Sequence, residues 1–152
     1  MRMLLSEIFV PQSIILNLKS ASKEEAFIEL VDVITAVHSE CDGAVLLEAI
    51  QKRENKMNTG IASGVALPHA FCSGINNMIG AIGLSRQGID YNAPDDKPVH
   101  VVFMLAMSEP ARENHLRILN EISRLAQSDS LMQMRNAENA QTAHAILTRF
   151  NN

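Results

Sequence analysis

The segment VHVVFMLAM, Val99–Met107, is apolar at every position except His100. A strand with one wet face alternates apolar and polar residues, whereas a strand covered on both faces is apolar throughout. The continuous apolar part, Val101–Met107, is also far too short to span a bilayer. The segment therefore predicts a central strand in a sheet with helices on each side.

Two further strands are predicted before it, at Ile61–Leu67 and Ile79–Leu84. Ser22 and Glu25 have the spacing of a capping box and start a helix, and Asp42 is placed to cap a second one. The apolar line of the first helix recurs at helical spacing through Ala26, Phe27, Leu30, Val31, Ile34 and Val37.

Helical patterns also follow the central strand. Ser108, Glu109 and Pro110 predict a helix start, and apolar residues then recur with helical period to Ala126. A short helix is predicted near Leu131–Arg135 and a last one over Glu138–Phe150. Helices that alternate with strands predict a single layered α/β domain over residues 1–152.

Composition excludes several classes of function. The chain has 152 residues, 47% of them hydrophobic, and a formal charge of −4. A surplus of acidic residues with no basic stripe argues against a nucleic-acid partner. The N-terminus lacks the pattern of a secretory signal, no segment predicts membrane insertion, and the two cysteines, Cys41 and Cys72, show no framework spacing. We therefore expect a cytoplasmic protein with free thiols, although sequence does not exclude a disulfide between them.

His69 is the first candidate for chemistry. It follows Pro68 at the end of a predicted strand, and Pro68 is expected to end that strand in a turn. Ligands of open α/β sheets gather at strand ends. The residues before it, including Gly60, Ser63 and Gly64, are small enough to let a partner approach closely. A buried histidine with a purely structural role is the alternative interpretation.

Arg53 and His115 are the other candidates. Arg53 continues the line Val45, Ala49 at four-residue steps, so it shares a side with apolar residues. It either covers the core edge with its stem or aims its guanidinium at an anion. His115 opens the apolar line of its helix, near an N-terminus whose N–H groups favour anions, or is a core-edge histidine.

Other chemistries lack their motifs. His69, Cys72 and His115 could be drawn together as metal ligands, but no HExxH, CxxC or carboxylate cluster supports a metal site. Nucleophile-elbow and glycine-rich nucleotide motifs are also missing. The remaining set suits an imidazole, His69, that accepts a phosphoryl group, with Arg53, Thr59, Ser63 and His115 beside it. No metal and no cofactor are expected.

Four separated blocks carry a resemblance to a known family. They are SKEEAFIELVDVI (Ser22–Ile34), RENKMNTGIASGVALPH (Arg53–His69), DDKPVHVVFML (Asp95–Leu105) and HLRILNEISRLA (His115–Ala126). Together they resemble the fructose/mannitol-type (type 2) enzyme IIA domain of the bacterial phosphoenolpyruvate-dependent phosphotransferase system, including its nitrogen-regulatory branch. The resemblance implies a mixed β-sheet with helices on both faces.

The resemblance also implies roles and partners. His69 would carry the phosphoryl group, on Nε2, and Arg53 and His115 would stabilise it. An HPr-like phosphocarrier would be the donor, and an enzyme IIB cysteine or a regulatory target protein would be the next partner. A homodimer is compatible with the exposed apolar helix faces expected of so small a domain.

Three hypotheses about function stay open at this point. The first is a phosphoryl carrier, the second a nitrogen-type regulator that binds partners according to the phosphorylation of His69. The third is a degenerate binding module, raised by departures from the family pattern at Ala62 and Ser63; Ala70 is a further departure. Ala62 would be strained if its position required a positive φ, and Ser63 is shorter than the usual polar residue.

Overall fold

The computed structural model describes residues 3–108 and 112–151. Within them the helices are α1 (Leu5–Ile8), α2 (Lys23–Val37), α3 (Gly43–Lys56), α4 (Arg112–Ala126), α5 (Asp129–Arg135) and α6 (Ala140–Phe150). The strands are β1 (Ile14–Ile15), β2 (Gly60–Ile61), β3 (Val65–Ala66), β4 (His69–Phe71), β5 (Ile79–Ile89) and β6 (Val99–Met107). Short 3₁₀ turns occupy Pro11–Ser13 and Ala62–Gly64.

The strands form one mixed sheet in the order β1-β5-β6-β3-β2. β5 runs antiparallel to β6, whereas β1 is parallel to β5 and β3 is parallel to β6. β4 also pairs in parallel with β6, further along the same strand. β6 is thus the central strand, over the range that its sequence predicts.

The side chains of β6 divide between two cores. Val101, Phe103, Leu105 and Met107 pack under α1, α4, α5 and α6, and Val102, Met104 and Ala106 pack under α2 and α3. Helices therefore cover both faces of the sheet, which confirms the predicted α/β/α layers. None of the helices in the described part of the chain is long and apolar enough to cross a membrane.

Local signals place the helix starts well. The Ser22 hydroxyl accepts from the Glu25 N–H (3.3 Å), and the Glu25 carboxylate accepts in turn from the Ser22 hydroxyl (3.0 Å). Asp42 accepts from the N–H groups of Ala44 and Val45 at the start of α3. The last helix begins at Ala140, capped by Asn139, two residues after the predicted start. The predicted start at Glu109 and Pro110 lies outside the described residues.

The predicted strand Ile61–Leu67 is wrong, because the chain reverses inside it. Ser63 and Gly64 have φ of 71° and 74°, in the left-handed region, and they fold β2 back antiparallel on β3. Nothing in the apolar pattern signals this reversal. A serine takes that conformation at a cost, so the surrounding structure must hold it there.

The turn expected at Pro68 is also wrong. Val65 pairs with Val101 and His69 pairs with Leu105, so the two short strands keep one register on β6 across the proline. The Leu105 N–H donates to the Pro68 carbonyl oxygen at 2.9 Å. In the described residues only β6 pairs with β4, and an edge position tolerates a residue without an N–H.

The two thiols lie in the core under α2 and α3. Cys41 and Cys72 are each 5% exposed and free, as the cysteine pattern predicts. Burial raises the pKa of Cys41 to about 12, with a smaller contribution from the neighbouring Cys72 thiol. Burial also raises the pKa of Cys72.

We predict that neither thiol reacts readily with a disulfide reagent while the protein is folded. The thiolate is the reacting species. At pH 8 the Cys41 thiol, with a pKa of about 12, is ionised to only about one part in 10⁴, and the raised pKa of Cys72 acts in the same direction. In a DTNB assay the native protein should react slowly and the urea-unfolded protein should release both thiols at once. Rapid reaction of both cysteines in the native state would contradict this burial.

Candidate functional site

His69 lies on β4 at the exposed edge of the sheet, half-buried. Its Nδ1 is 2.7 Å from the carbonyl oxygen of Leu67. A carbonyl oxygen can only accept, so Nδ1 carries the proton and donates it. In a neutral ring Nε2 is then the unprotonated nitrogen, with a lone pair available to an electrophile.

Burial lowers the pKa of His69 from its usual 6.5. The charge of Arg53 lowers it further, whereas the bond to Leu67 and the charge of Glu54 oppose this shift. Burial dominates because it removes the water that would solvate an imidazolium. The ring is therefore neutral at neutral pH.

A cleft of about 350 Å³ opens beside His69. One wall is formed by α3, with Ala49, Lys52, Arg53 and Lys56, and the other by His69, Ala70, Phe71 and Met107. Three cationic side chains thus stand on the helix that faces the imidazole. This placement suits an anionic group brought to Nε2.

The side of α3 that carries Val45, Ala49 and Arg53 is not the buried side, although its apolar residues suggest it. The buried residues of α3 are Leu46, Ile50 and Glu54, and Val45 is 44% exposed. Arg53 is one position off that buried line, so it faces the cleft rather than the core. Its Nη1 donates to the Met57 carbonyl oxygen at 3.1 Å, which holds the guanidinium at the end of the helix.

A buried polar network lies behind Arg53. The Glu54 carboxylate accepts from the Thr59 N–H (2.9 Å) and from the Thr59 hydroxyl (2.6 Å). The Tyr91 hydroxyl lies 2.7 Å from the Thr59 hydroxyl and 3.2 Å from Glu54. Lys23 neutralises the carboxylate at 3.6 Å, and its ammonium lies 5.2 Å from the centre of the Tyr91 ring.

This network changes the expectation for Thr59. Thr59 is 8% exposed, and its hydroxyl is already hydrogen-bonded to Glu54 and Tyr91. The hydroxyl therefore does not face His69. Sequence reasoning missed Glu54 and Tyr91. Glu54 follows Arg53 directly and falls on the buried line of α3, which is the one signal that could have identified it.

His115 lies in the first part of α4 and is 4% exposed. Its ring centre is 5.0 Å from that of Phe71, with the planes inclined at 54°. Phe71 is two residues after His69, so the two side chains share one face of β4. The structure thus brings His115 to the same edge of the sheet as His69 and Arg53.

Ser63 and Gly64 are not brought to His69. A Cβ on Gly64 would lie 3.4 Å from Cδ2 of His100, which is five residues before Leu105, the partner of His69 on β6. Five strand residues span roughly 16 Å. These two residues therefore lie toward the opposite end of the sheet. In the described part of the chain, no group of three or more His, Cys, Asp or Glu side chains could hold a metal ion.

Comparison with known proteins identifies the family. Residues 7–150 match the family described as phosphoenolpyruvate-dependent sugar phosphotransferase system, EIIA 2. The chain belongs to this family. The resemblance noted from the four sequence blocks is thereby confirmed, and the members of the family are phosphotransfer components.

Individual relatives come from two branches. The chain is 36% identical over 129 residues to the fructose-specific EIIABC component of Bacillus subtilis, covering 85% of the chain but only 20% of that relative's length. It is 34% identical to the fructose-specific EIIA component of Haloferax volcanii, covering 84% of the chain and 83% of the relative. The crystal structure of the nitrogen regulatory protein IIA-Ntr from Neisseria meningitidis superimposes with a TM-score of 0.86 at 29% identity, covering 94% of this chain and 98% of that one.

We predict that the pKa of His69 lies below 6.5, and that at neutral pH the ring is neutral and carries its proton on Nδ1. An NMR titration of the ring should show this midpoint, and long-range ¹⁵N shifts should report the Nδ1–H tautomer. Because the unfolded chain takes up the proton first, the free energy of unfolding decreases as the pH falls below 6.5. A midpoint at or above that of the urea-unfolded protein would contradict the burial argument.

We predict that Thr59→Val lowers the free energy of unfolding by about 1–3 kcal/mol, because it removes the shortest buried donor of the Glu54 carboxylate and the hydroxyl that lies beside Tyr91. Thr59→Ser keeps the hydroxyl and serves as the matched control, with a much smaller loss. Urea denaturation of both variants measures the difference. If Thr59→Val were as stable as the wild type, the network would not anchor the end of α3.

Proposed function

We propose that the chain is a cytoplasmic phosphoryl carrier that accepts phosphate on Nε2 of His69 from an HPr-like phosphocarrier and passes it to a cysteine of an enzyme IIB. The observation that carries the proposal is the bond from Nδ1 to the Leu67 carbonyl oxygen, which leaves Nε2 as the nucleophile. The lowered pKa of His69 supports the same role, because only the neutral ring can attack.

The first transfer is balanced between two imidazoles. The Nε2 lone pair forms a bond to phosphorus as the donor's N–P bond breaks, and that electron pair returns to the donor ring. The acceptor ring gains positive charge while its proton remains on Nδ1. The Leu67 carbonyl, already 2.7 Å from Nδ1, stabilises that developing charge without having to move.

The phosphoryl oxygens need positive partners during this step. Arg53 lies close enough to His69 to lower its pKa, and the same charge would attract the three equatorial oxygens. His115 stands at the same sheet edge, against Phe71 and near the start of α4, where it would stabilise the phosphoryl group together with Arg53. In the second transfer a thiolate sulfur of the partner attacks phosphorus, the Nε2–P bond breaks, and its electron pair returns to the His69 ring.

The surface around the cleft fits protein partners. Phe71 is 42% exposed and Leu116, which follows His115, is 67% exposed. Exposed apolar side chains next to a group of cations form a surface that a phosphocarrier protein could cover. Homodimer formation stays a prediction, which light scattering of the purified chain tests.

A nitrogen-type regulator is the second candidate, supported by the likeness to IIA-Ntr over nearly the full length of both chains. It shares the first transfer and differs in the second. A regulator would hold the phosphate and bind its target in one phosphorylation state, whereas a carrier would lose the phosphate to an enzyme IIB.

We predict acid-labile labelling of the wild type by radiolabelled phosphoenolpyruvate with enzyme I and an HPr-type carrier, and none of His69→Ala. Arg53→Gln should slow labelling about 10²-fold, the usual cost of removing one group that stabilises transition-state charge. Lys97→Gln, an exposed loop cation, is the matched control and should label at the wild-type rate.

A chase with enzyme IIB then separates the two candidates. Label that moves to an enzyme IIB cysteine supports the carrier, and label retained against every enzyme IIB tested supports the regulator. Undiminished labelling of His69→Ala would refute the site, and failure to label wild type with any cognate carrier would refute both candidates. Circular dichroism of each variant shows that it is folded.

A further inference from the structure

A second cavity lies at the opposite end of the sheet from His69. β5 loses its regular pairing with β6 between Leu84 and Ile89, and inside this bulge the Gly88 N–H donates to the Ser85 hydroxyl at 3.0 Å. A cavity of about 240 Å³ opens there between the bulge, β6 and α5. Bulges often redirect side chains at functional sites, so the groups that line this cavity need an explanation.

The charge of the cavity is wholly positive. Arg86 from the bulge and Arg135 from the end of α5 both line it, and none of the described residues that line it is acidic. Among the described residues neither guanidinium has a carboxylate partner or a hydrogen bond. The dipole at the C-terminus of α5 would explain Arg135 alone. It does not explain Arg86, which comes from β5.

His100 adds a positioned imidazole to these two charges. Its Nδ1 lies 2.8 Å from the Ser85 carbonyl oxygen, so Nδ1 donates and Nε2 is the ring nitrogen left for a ligand. The ring is confined on two sides, because a Cβ on Gly88 would be 3.1 Å from Cε1 and a Cβ on Gly64 would be 3.4 Å from Cδ2. The turn at Ser63 and Gly64, which does not reach His69, therefore helps to hold His100 in place.

We infer that this cavity is a binding site for a small phosphate-bearing anion, held by Arg86, Arg135 and His100. Planar guanidinium groups bind phosphate oxygens with paired hydrogen bonds, and the Ser85 hydroxyl and the Asn136 amide supply further polar atoms on the wall. The volume admits an inorganic phosphate or a small phosphate ester and is too small for a protein segment.

The site is separate from the phosphoryl site. His100 precedes Leu105, the β6 partner of His69, by five residues, roughly 16 Å along the strand. A ligand here would therefore not touch the reacting nitrogen. The inference is independent of the proposed function, since it stands on a different cavity and different side chains.

The test is an NMR titration of the ¹⁵N-labelled full chain with inorganic phosphate and, separately, with glycerol phosphate, at constant ionic strength. We expect saturable shifts at the backbone amides of Arg86, His100 and Asn136. Sodium acetate at equal ionic strength is the comparison arm and should shift these signals much less. Any phosphate bound at the His69 cleft would shift a separate set of signals, around His69 and Phe71.

Variants assign the binding to the cavity. Arg86→Gln and Arg135→Gln should each weaken binding about tenfold, the usual effect of losing one charge-assisted hydrogen bond. Arg124→Gln, an exposed arginine on α4 that does not line the cavity, is the matched control and should bind as the wild type does. Met132→Glu adds a carboxylate to the cavity rim and should abolish binding, whereas Gln133→Glu beside it should have little effect.

Three results would overturn the inference. One is a set of shifts that rises linearly with phosphate and never saturates. Another is equal affinity in the wild type, both arginine variants and Met132→Glu. The third is an equal response to acetate, which would show general ion screening instead of a phosphate site. Because labelling of His69 is measured independently, failure here leaves the proposed function untouched, and failure there leaves this site untouched.

Discussion

The parallel alignment of residues 65–71 on β6, kept in one register across Pro68, is the constraint from which the site follows. Peptide groups along a strand point alternately to its two sides. The Pro68 carbonyl oxygen points toward β6 and accepts from Leu105, and Pro68 has no N–H to offer in return. The groups of Leu67 therefore point away from β6, toward the open edge.

That geometry explains why a carbonyl is available to orient the imidazole. The Leu67 N–H donates at 3.0 Å to the carbonyl oxygen of Thr59, the residue before β2. Among the strands of the described residues none continues far enough to reach the Leu67 carbonyl oxygen, and Nδ1 of His69 takes that place at 2.7 Å. An edge acceptor that would otherwise need water fixes the tautomer of the nucleophile. Preorganisation of Nε2 is thus a direct result of where the sheet ends.

The charged half of the site depends on a buried carboxylate. Glu54 occupies a core position of α3, where an unpaired charge would be strongly destabilising. Lys23 and three hydrogen bonds from Thr59 and Tyr91 satisfy the carboxylate. Burial, together with the charge of Glu54, raises the pKa of Tyr91. These contacts tie the end of α3 to β2 and to the segment after β5. Arg53, the preceding residue, is thereby held on the side of α3 that faces His69.

Sequence predicts the parts of this structure whose causes are local. The strand Val99–Met107 is predicted with its observed bounds because burial on both faces removes the polar residues from a strand. The caps Ser22 and Asp42 are predicted because a cap acts within three residues. The errors arise where the cause is distant in sequence: Pro68 has the local signal of a turn but pairs with a strand 36 residues further on, by the register of His69 with Leu105. Thr59 likewise has a hydroxyl that suits phosphate, and only its contact with Tyr91 shows another use.

The same geometry bears on the hypothesis of a degenerate binding module, which rested on Ala62 and Ser63. Of the two, only Ser63 has a positive φ, so the added methyl of Ala62 meets no left-handed strain. Both residues are exposed, in the turn that packs toward His100 instead of His69. A change there does not alter the Leu67 carbonyl, the Nε2 lone pair or the guanidinium of Arg53. The segment that leads to His69 thus reaches both ends of the sheet. Ala62–Gly64 form the turn beside His100, and residues 65–71 form the paired segment on which His69 lies. Departures in the turn cannot be taken as loss of the chemistry at His69.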